Sequence, residues 1–310
     1  MSENVHQQVV MIGARKTMVG MMTQPVDYEP GERPVVVILN SGIIHRVGHH
    51  RMYVVLARML ARAGYQVLRF DLSGIGDSEG RVDGLSPLEG ALADVREAID
   101  WLVTARRARR IILVGLCSGA DHSLIHGSSD PRVCGLVLLD PSIPPTPAFY
   151  LRDLLRHLSR PQSWINIVLV RSRRLQRLRK LLGLTGEVRQ SYWPNLNEPV
   201  IRDFLQNAYQ RSMDRGVQCL IVFTSGSPHQ HNYRRQILDA FPTVPFAGRL
   251  RLEYFTRCDH LFTRGTDRKR LFDAVMAWTQ ETKFDGQTGT ESSSEPMVDP
   301  TSRDRVSYEV

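Results

Sequence analysis

The stretch "GLCSGA", residues 115–120, sets Cys117 and Ser118 side by side between glycines. Either side chain can attack a carbonyl carbon, and a thiol is the more easily ionised of the two. Spacing separates their roles. Gly115 and Gly119 flank Cys117 as Gly–x–nucleophile–x–Gly, directly after the apolar run "RIILV". Glycines at those two places let a strand turn sharply into a helix and push the central side chain out at the tip. The dipole of the following helix favours negative charge there, hence a thiolate. Ser118 stands one position off the tip, where its backbone N–H is better placed than its hydroxyl, as a donor to a developing oxyanion. The plainer alternative is a glycine-rich turn around a buried cysteine.

Such a turn needs a strand before it and a helix after it, and the surrounding pattern supplies both. "PVVVILN" (34–40), "YQVLRFD" (65–71), "RIILVG" (110–115) and "VCGLVLLD" (133–140) are short, β-branched apolar runs of the kind buried in parallel sheets. Between them, "HRMYVVLARMLARAG" (50–64) reads as a helix ending at Gly64. "PLEGALADVREAIDWLVT" (87–104) puts Leu88, Leu92, Val95, Ile99 and Leu102 on one helical face, and "SGADHSLIHG" (118–127) follows the turn. The rhythm returns with "VQCLIVFTSG" (217–226), "RLRLEYF" (249–255) and a last helix over 267–283, while "QQVVMIG" and "KTMVGMMTQ" predict an antiparallel pair at the front. The fold class expected is α/β, a mostly parallel sheet with helices on both faces. Residues 141–215 interrupt the pattern, beginning with "PSIPPTP", and predict a helical cap inserted between strands. Residues 8–140 and 216–282 then form one discontinuous core. The polar, Ser/Thr/Gly-rich segment 284–310 predicts disorder.

Composition narrows the class. The chain has 310 residues, 42% hydrophobic and 23% charged, an ordinary globular balance. No apolar run approaches the roughly 18 residues of a membrane span, and the polar start "MSENVHQQ" lacks the apolar stretch of a signal peptide. Four cysteines, far apart and without a CxxC pair, argue against a zinc site or a disulfide framework and for a reducing, cytoplasmic setting. A net charge of +8 allows an anionic substrate or partner.

The order of motifs resembles the α/β-hydrolase fold superfamily over about residues 8–282, and a cysteine at the turn resembles its dienelactone-hydrolase-like bacterial branch. "DLSGIGDSEG" (71–80) is similar to the family's D-x-x-G-x-G-x-S loop, "RCDHLFT" (257–263) to the late loop presenting the catalytic histidine, and "LNSGIIHR" (39–46) to the H-G-x loop that gives an oxyanion donor. The resemblance implies that His260 is the base, a role its titration range suits, and that the amides of Ser118 and Ile43 form the oxyanion hole. It also implies an aspartate after "QCLIVFTSG", but "SPHQHNYRRQ" has no carboxylate. Asp140, ending the strand after the turn, is the expected acid. Asp259, beside His260, is the second candidate.

Together these readings predict a cofactor-free acyl hydrolase acting on an ester or thioester through Cys117, His260 and Asp140. An acyltransferase or a non-catalytic binding protein on the same fold are the alternatives. In "HRVGHHR" (45–51), His45 and Arg46 are candidates to hold an anionic end of the substrate, and without a carboxylate or cysteine the cluster does not make a metal site. "RSRRLQRLRK" (171–180), basic and free of acids, predicts a docking surface for an acidic acyl carrier protein or a membrane surface, with a solvated helix as the plainer reading. Nucleic acid is not expected, since no matching fold motif or aromatic interleaving accompanies the charge.

Overall fold

The structure, a computed structural model, describes residues 5–28, 33–158, 195–227 and 230–284. Eight strands form one sheet: β1 (Val5–Ile12), β2 (Met18–Pro25), β3 (Val35–Ile38), β4 (Val67–Phe70), β5 (Ile111–Leu116), β6 (Val133–Leu139), β7 (Gln218–Thr224) and β8 (Leu250–Phe255). Their spatial order is β1-β2-β4-β3-β5-β6-β7-β8. The pairs β1/β2 and β2/β4 are antiparallel, and every other neighbouring pair is parallel. The expected front hairpin and parallel sheet are therefore present.

Side chains of a strand alternate between faces, so each strand feeds two cores. In β5, Ile111 and Leu113 join one apolar cluster, while Ile112, Val114 and Leu116 join the other. Helices α2 (Pro87–Arg106) and α3 (Ser118–Ser129) cover the first face, and α1 (Met52–Arg62) and the C-terminal helix Gly265–Glu281 cover the second. Helix α2 begins on a capping box, with Ser86 and Glu89 satisfying each other's backbone amides and Pro87 at the first turn.

Among the described residues, two helices lie in the stretch expected to form a cap: α4 (Pro147–Leu158) and α5 (Pro199–Asp214). Helix α5 is not part of a separate layer. Ile201, Leu205, Ala208, Tyr209 and Met213 recur at helical spacing, are buried, and belong to the same cluster as α3. That amphipathic face packs against the main body. The basic segment 171–180 lies outside the described residues. So does the tail from residue 285; Phe284, placed at its start, is instead buried edge-on against Trp278. Among the described residues two more helices follow, α6 (Gln236–Ala240) and α7 (Gly265–Glu281). Among the described residues no helix is long and apolar enough to cross a membrane.

Candidate active site

Parallel strands end on one side of the sheet, and the loops after them meet there. The turn after β5 carries Cys117, the residue closing β6 is Asp140, and the loop between β8 and α7 carries His260. Cys117 has φ 56° and ψ −121°, a region that side-chain-bearing residues seldom adopt. The conformation is held by its amide, which donates to Leu139 O at 2.9 Å, and by its carbonyl, which accepts from Ala120 and Asp121. The flanking glycines are required by contact. A Cβ on Gly115 would lie 2.0 Å from the carbonyl oxygen of Gly119, and one on Gly119 would lie 2.3 Å from that of Asn40. The absence of those two Cβ atoms brings the start of α3 against both β5 and the loop after β3.

Asp140 is wholly buried, with φ 46° turning its side chain away from the line of β6. Its Oδ2 accepts from His260 Nδ1 at 2.7 Å and from the Thr224 hydroxyl at 2.7 Å; Oδ1 accepts from the Thr224 amide at 2.6 Å. His231 Nε2 lies 3.1 Å from the same Oδ1. That contact is off the ring's N–H axis, so it is electrostatic more than a well-directed hydrogen bond. Burial opposes ionisation of Asp140, yet contacts with His231 and His260 outweigh it and hold the carboxyl down at about 2. Asp259 is engaged elsewhere, with the Leu261 and Thr263 amides and the Thr263 hydroxyl.

With Nδ1 of His260 on Asp140, Nε2 remains for Cys117, whose sulfur acts on the ring and raises its affinity for a proton. Burial alone would lower the affinity of His260 for a proton. Its interactions with Asp140 and Cys117 override this and raise the value to about 9. The structure thus brings Cys117, His260 and Asp140 into one chain of contacts.

The loop after β3 reaches the same place. Ser41 O accepts from the Ile44 amide, closing a tight turn whose third residue is Ile43. The Gly42 amide donates to the Ser118 hydroxyl at 2.8 Å, tying that turn to the first residue of α3. The Ser118 hydroxyl is therefore an acceptor in the framework, while its amide, in the first turn of a helix, has no intrahelical acceptor. Asn40 and Asp71 fix the loop from below: Asn40 donates to Ile44 O and Asp71 Oδ1 and accepts from the Leu72 amide.

His45 and Arg46 sit in this framework. The Arg46 guanidinium pairs with Asp71 and, at 2.7 Å, with Asp77; His45 lies 3.4 Å from both carboxylates. Arg46 is thus committed to protein carboxylates and not turned toward a substrate. His45, Asp71 and Asp77 also have the donor atoms of a metal cluster, but Arg46 already supplies the cation between the two acids.

A cleft of about 370 Å³ opens beside the turn. Gly42, Ile43 and Ser118 form one wall, and Leu72, Ile75 and Leu85 give it an apolar lining. The charged residues lining it are Arg81 and Asp94, and they pair with each other. Asp94 also accepts from the Ser73 amide and hydroxyl. His122, one helical turn beyond Ser118, reaches the cleft as well, and burial pushes its value down to about 4, leaving the ring neutral. Sequence reasoning missed His231 and His122. The signal for His231 was a histidine just past the end of β7, on the side of the sheet where the site forms.

Comparison with known proteins agrees with this architecture. No curated protein matches the chain. Among solved structures, a hypothetical protein from Pseudomonas aeruginosa is similar at 17% identity, with TM-score 0.57 over 90% of this chain and 94% of that one. An alpha-beta serine hydrolase homologue from Coxiella burnetii is similar at 14% identity and TM-score 0.53, covering 88% and 96%. A dienelactone hydrolase from Anabaena variabilis is similar at 12% identity and TM-score 0.53, covering 89% and 98%. At these identities the likeness shows the fold. Residues 33–194, more than half of the chain, match the family model described as "Serine aminopeptidase, S33", and the chain belongs to that family of α/β-hydrolase enzymes.

Proposed function

We propose that the protein is an acyl hydrolase that opens an ester or thioester with Cys117, using His260 and Asp140 as its proton relay and the Ser118 and Ile43 amides as oxyanion donors. The observation that carries this reading is His260 bridging Asp140 and Cys117 at a strained turn. An imidazolium held to about pH 9 beside the sulfur favours the thiolate as the attacking form.

The Cys117 thiolate attacks the carbonyl carbon; a C–S bond forms and the C=O π pair moves onto oxygen, facing the two amides. Collapse re-forms the carbonyl and breaks the bond to the alcohol or thiol, which leaves with the proton of His260 Nε2. Acylation neutralises Cys117, so its contribution to the raised value of His260 disappears. The ring, now neutral, takes a proton from water as the water attacks the acyl-enzyme. Collapse releases the acid and restores the pair.

The cleft supports an uncharged acyl group, since its walls are apolar and its two charges are paired. Removal of an amino-terminal residue from a peptide is the poorer fit. The substrate ammonium would need a carboxylate, and Asp94 is committed to Arg81 and Ser73. Steady-state rates on a panel of aryl esters and acyl thioesters test the reading. Cys117→Ala should abolish turnover and His260→Gln should lower kcat by about 10²–10⁴-fold. Wild-type rates in Cys117→Ala would overturn it.

A further inference from the structure

His231 has no part in the relay just described, yet it is wholly buried and its Nε2 is 3.1 Å from Asp140 Oδ1. The two oxygens of Asp140 divide their partners. Oδ2 meets His260 and the Thr224 hydroxyl, and Oδ1 meets the Thr224 amide and His231. Thr224 holds one oxygen with its amide and the other with its hydroxyl. A second group on Oδ1 restrains the carboxylate further. The chemistry also fixes the tautomer of His231. A hydrogen on Nε2 faces the carboxylate favourably, whereas a lone pair there would face an anion. Its ring cannot easily swing away, being packed 4.6 Å from the Phe223 ring with its amide donating to Ser227 O at 3.1 Å.

We infer that His231 is a positioning residue: it clamps Oδ1 of Asp140 so that Oδ2 stays aligned on His260 Nδ1 and Nε2 of His260 stays aimed at Cys117. The inference rests on the Cys117–His260 reading for its kinetic consequence, though not for its geometry. The loop after β7 then serves the site through an imidazole held 3.1 Å from the acid, and the acid itself comes from the end of β6.

The test compares His231→Gln, which keeps an N–H at similar reach, with His231→Phe and His231→Leu, which do not. In the acyl-hydrolase assay the donor-less variants should lose about 10–100-fold in kcat, as supporting partners of a reacting histidine typically cost. KM should move less than about two-fold, and Gln should recover most of the loss. A second readout needs no turnover: the downfield imidazole proton of His260 Nδ1–H in the NMR spectrum. It should persist in wild type and His231→Gln and broaden or move upfield in the donor-less variants that remain folded by circular dichroism. An unchanged resonance in a folded donor-less variant overturns the inference, as does an equal kcat loss in all three variants, which would make the role one of packing. If wild type hydrolyses nothing but the resonance behaves as stated, the functional reading fails and the positioning role stands.

Discussion

At the residue scale, three side chains share charge at the turn after β5. His260 is raised to about 9 against the effect of burial, through Asp140 and Cys117. Iodoacetamide should therefore alkylate Cys117 faster at pH 7 in wild type than in His260→Gln, because an imidazolium beside the sulfur favours the thiolate. In His260→Gln the rate should climb with pH as for an ordinary free thiol, which titrates at about 8.5. Identical profiles would contradict the pairing. Cys117 and His260 were legible in the sequence because one lies between paired glycines and the other in a short loop after the last strand. Asp140 was legible as one of two candidates. Choosing between it and Asp259 needed coordinates, since adjacency in sequence to His260 does not put a carboxylate on the ring's Nδ1. His231 was legible only as a histidine just past the end of β7; its contact with Asp140 depends on where the ends of β6 and β7 meet.

At the scale of elements, the strand–helix turn does the positioning. Gly119 sits so close to Asn40 that a methyl group would force β3 and α3 apart. Gly119→Ala should cost about 1–3 kcal/mol in urea denaturation, as overpacking does, and should lower turnover further, since the same shift opens the oxyanion hole. Undiminished activity in that variant would place the oxyanion donors elsewhere. Helix α2 sets the floor of the cleft. Ala91→Phe should raise KM for longer acyl chains by about ten-fold or more while sparing acetyl esters, because it fills apolar space at a buried position. Strands and helices were readable from period and apolar runs. The placement of α5 was not: its spacing announces an amphipathic helix, and only tertiary packing says that the apolar face closes on α3. The same limit hid the fate of Arg46, a basic residue near the site whose partners, Asp71 and Asp77, come from the loop after another strand.

At the scale of the whole molecule, the site is also part of the fold's stability. Asp140 has a folded value of about 2, below the ordinary aspartate range of about 3.9. A depressed carboxyl contributes stability above its unfolded value and loses it as pH falls through the folded one. Urea unfolding should show wild type losing about 2 kcal/mol more than Asp140→Asn between pH 5 and pH 2, on the scale of 1.36 kcal/mol per unit; equal losses would mean that the carboxyl is not held down. The sheet order places the turn after β5, the acid after β6 and the histidine after β8 at one end of the parallel strands, so loops distant in sequence meet there. The central claim is that Cys117 carries the acyl group, and mass spectrometry of the intact protein with an activated acyl thioester reads it directly. One acyl adduct should form on wild type, map to Cys117, decay as product acid appears, and be absent in Cys117→Ala. An adduct on Ser118, or one that persists in Cys117→Ala, would contradict the account.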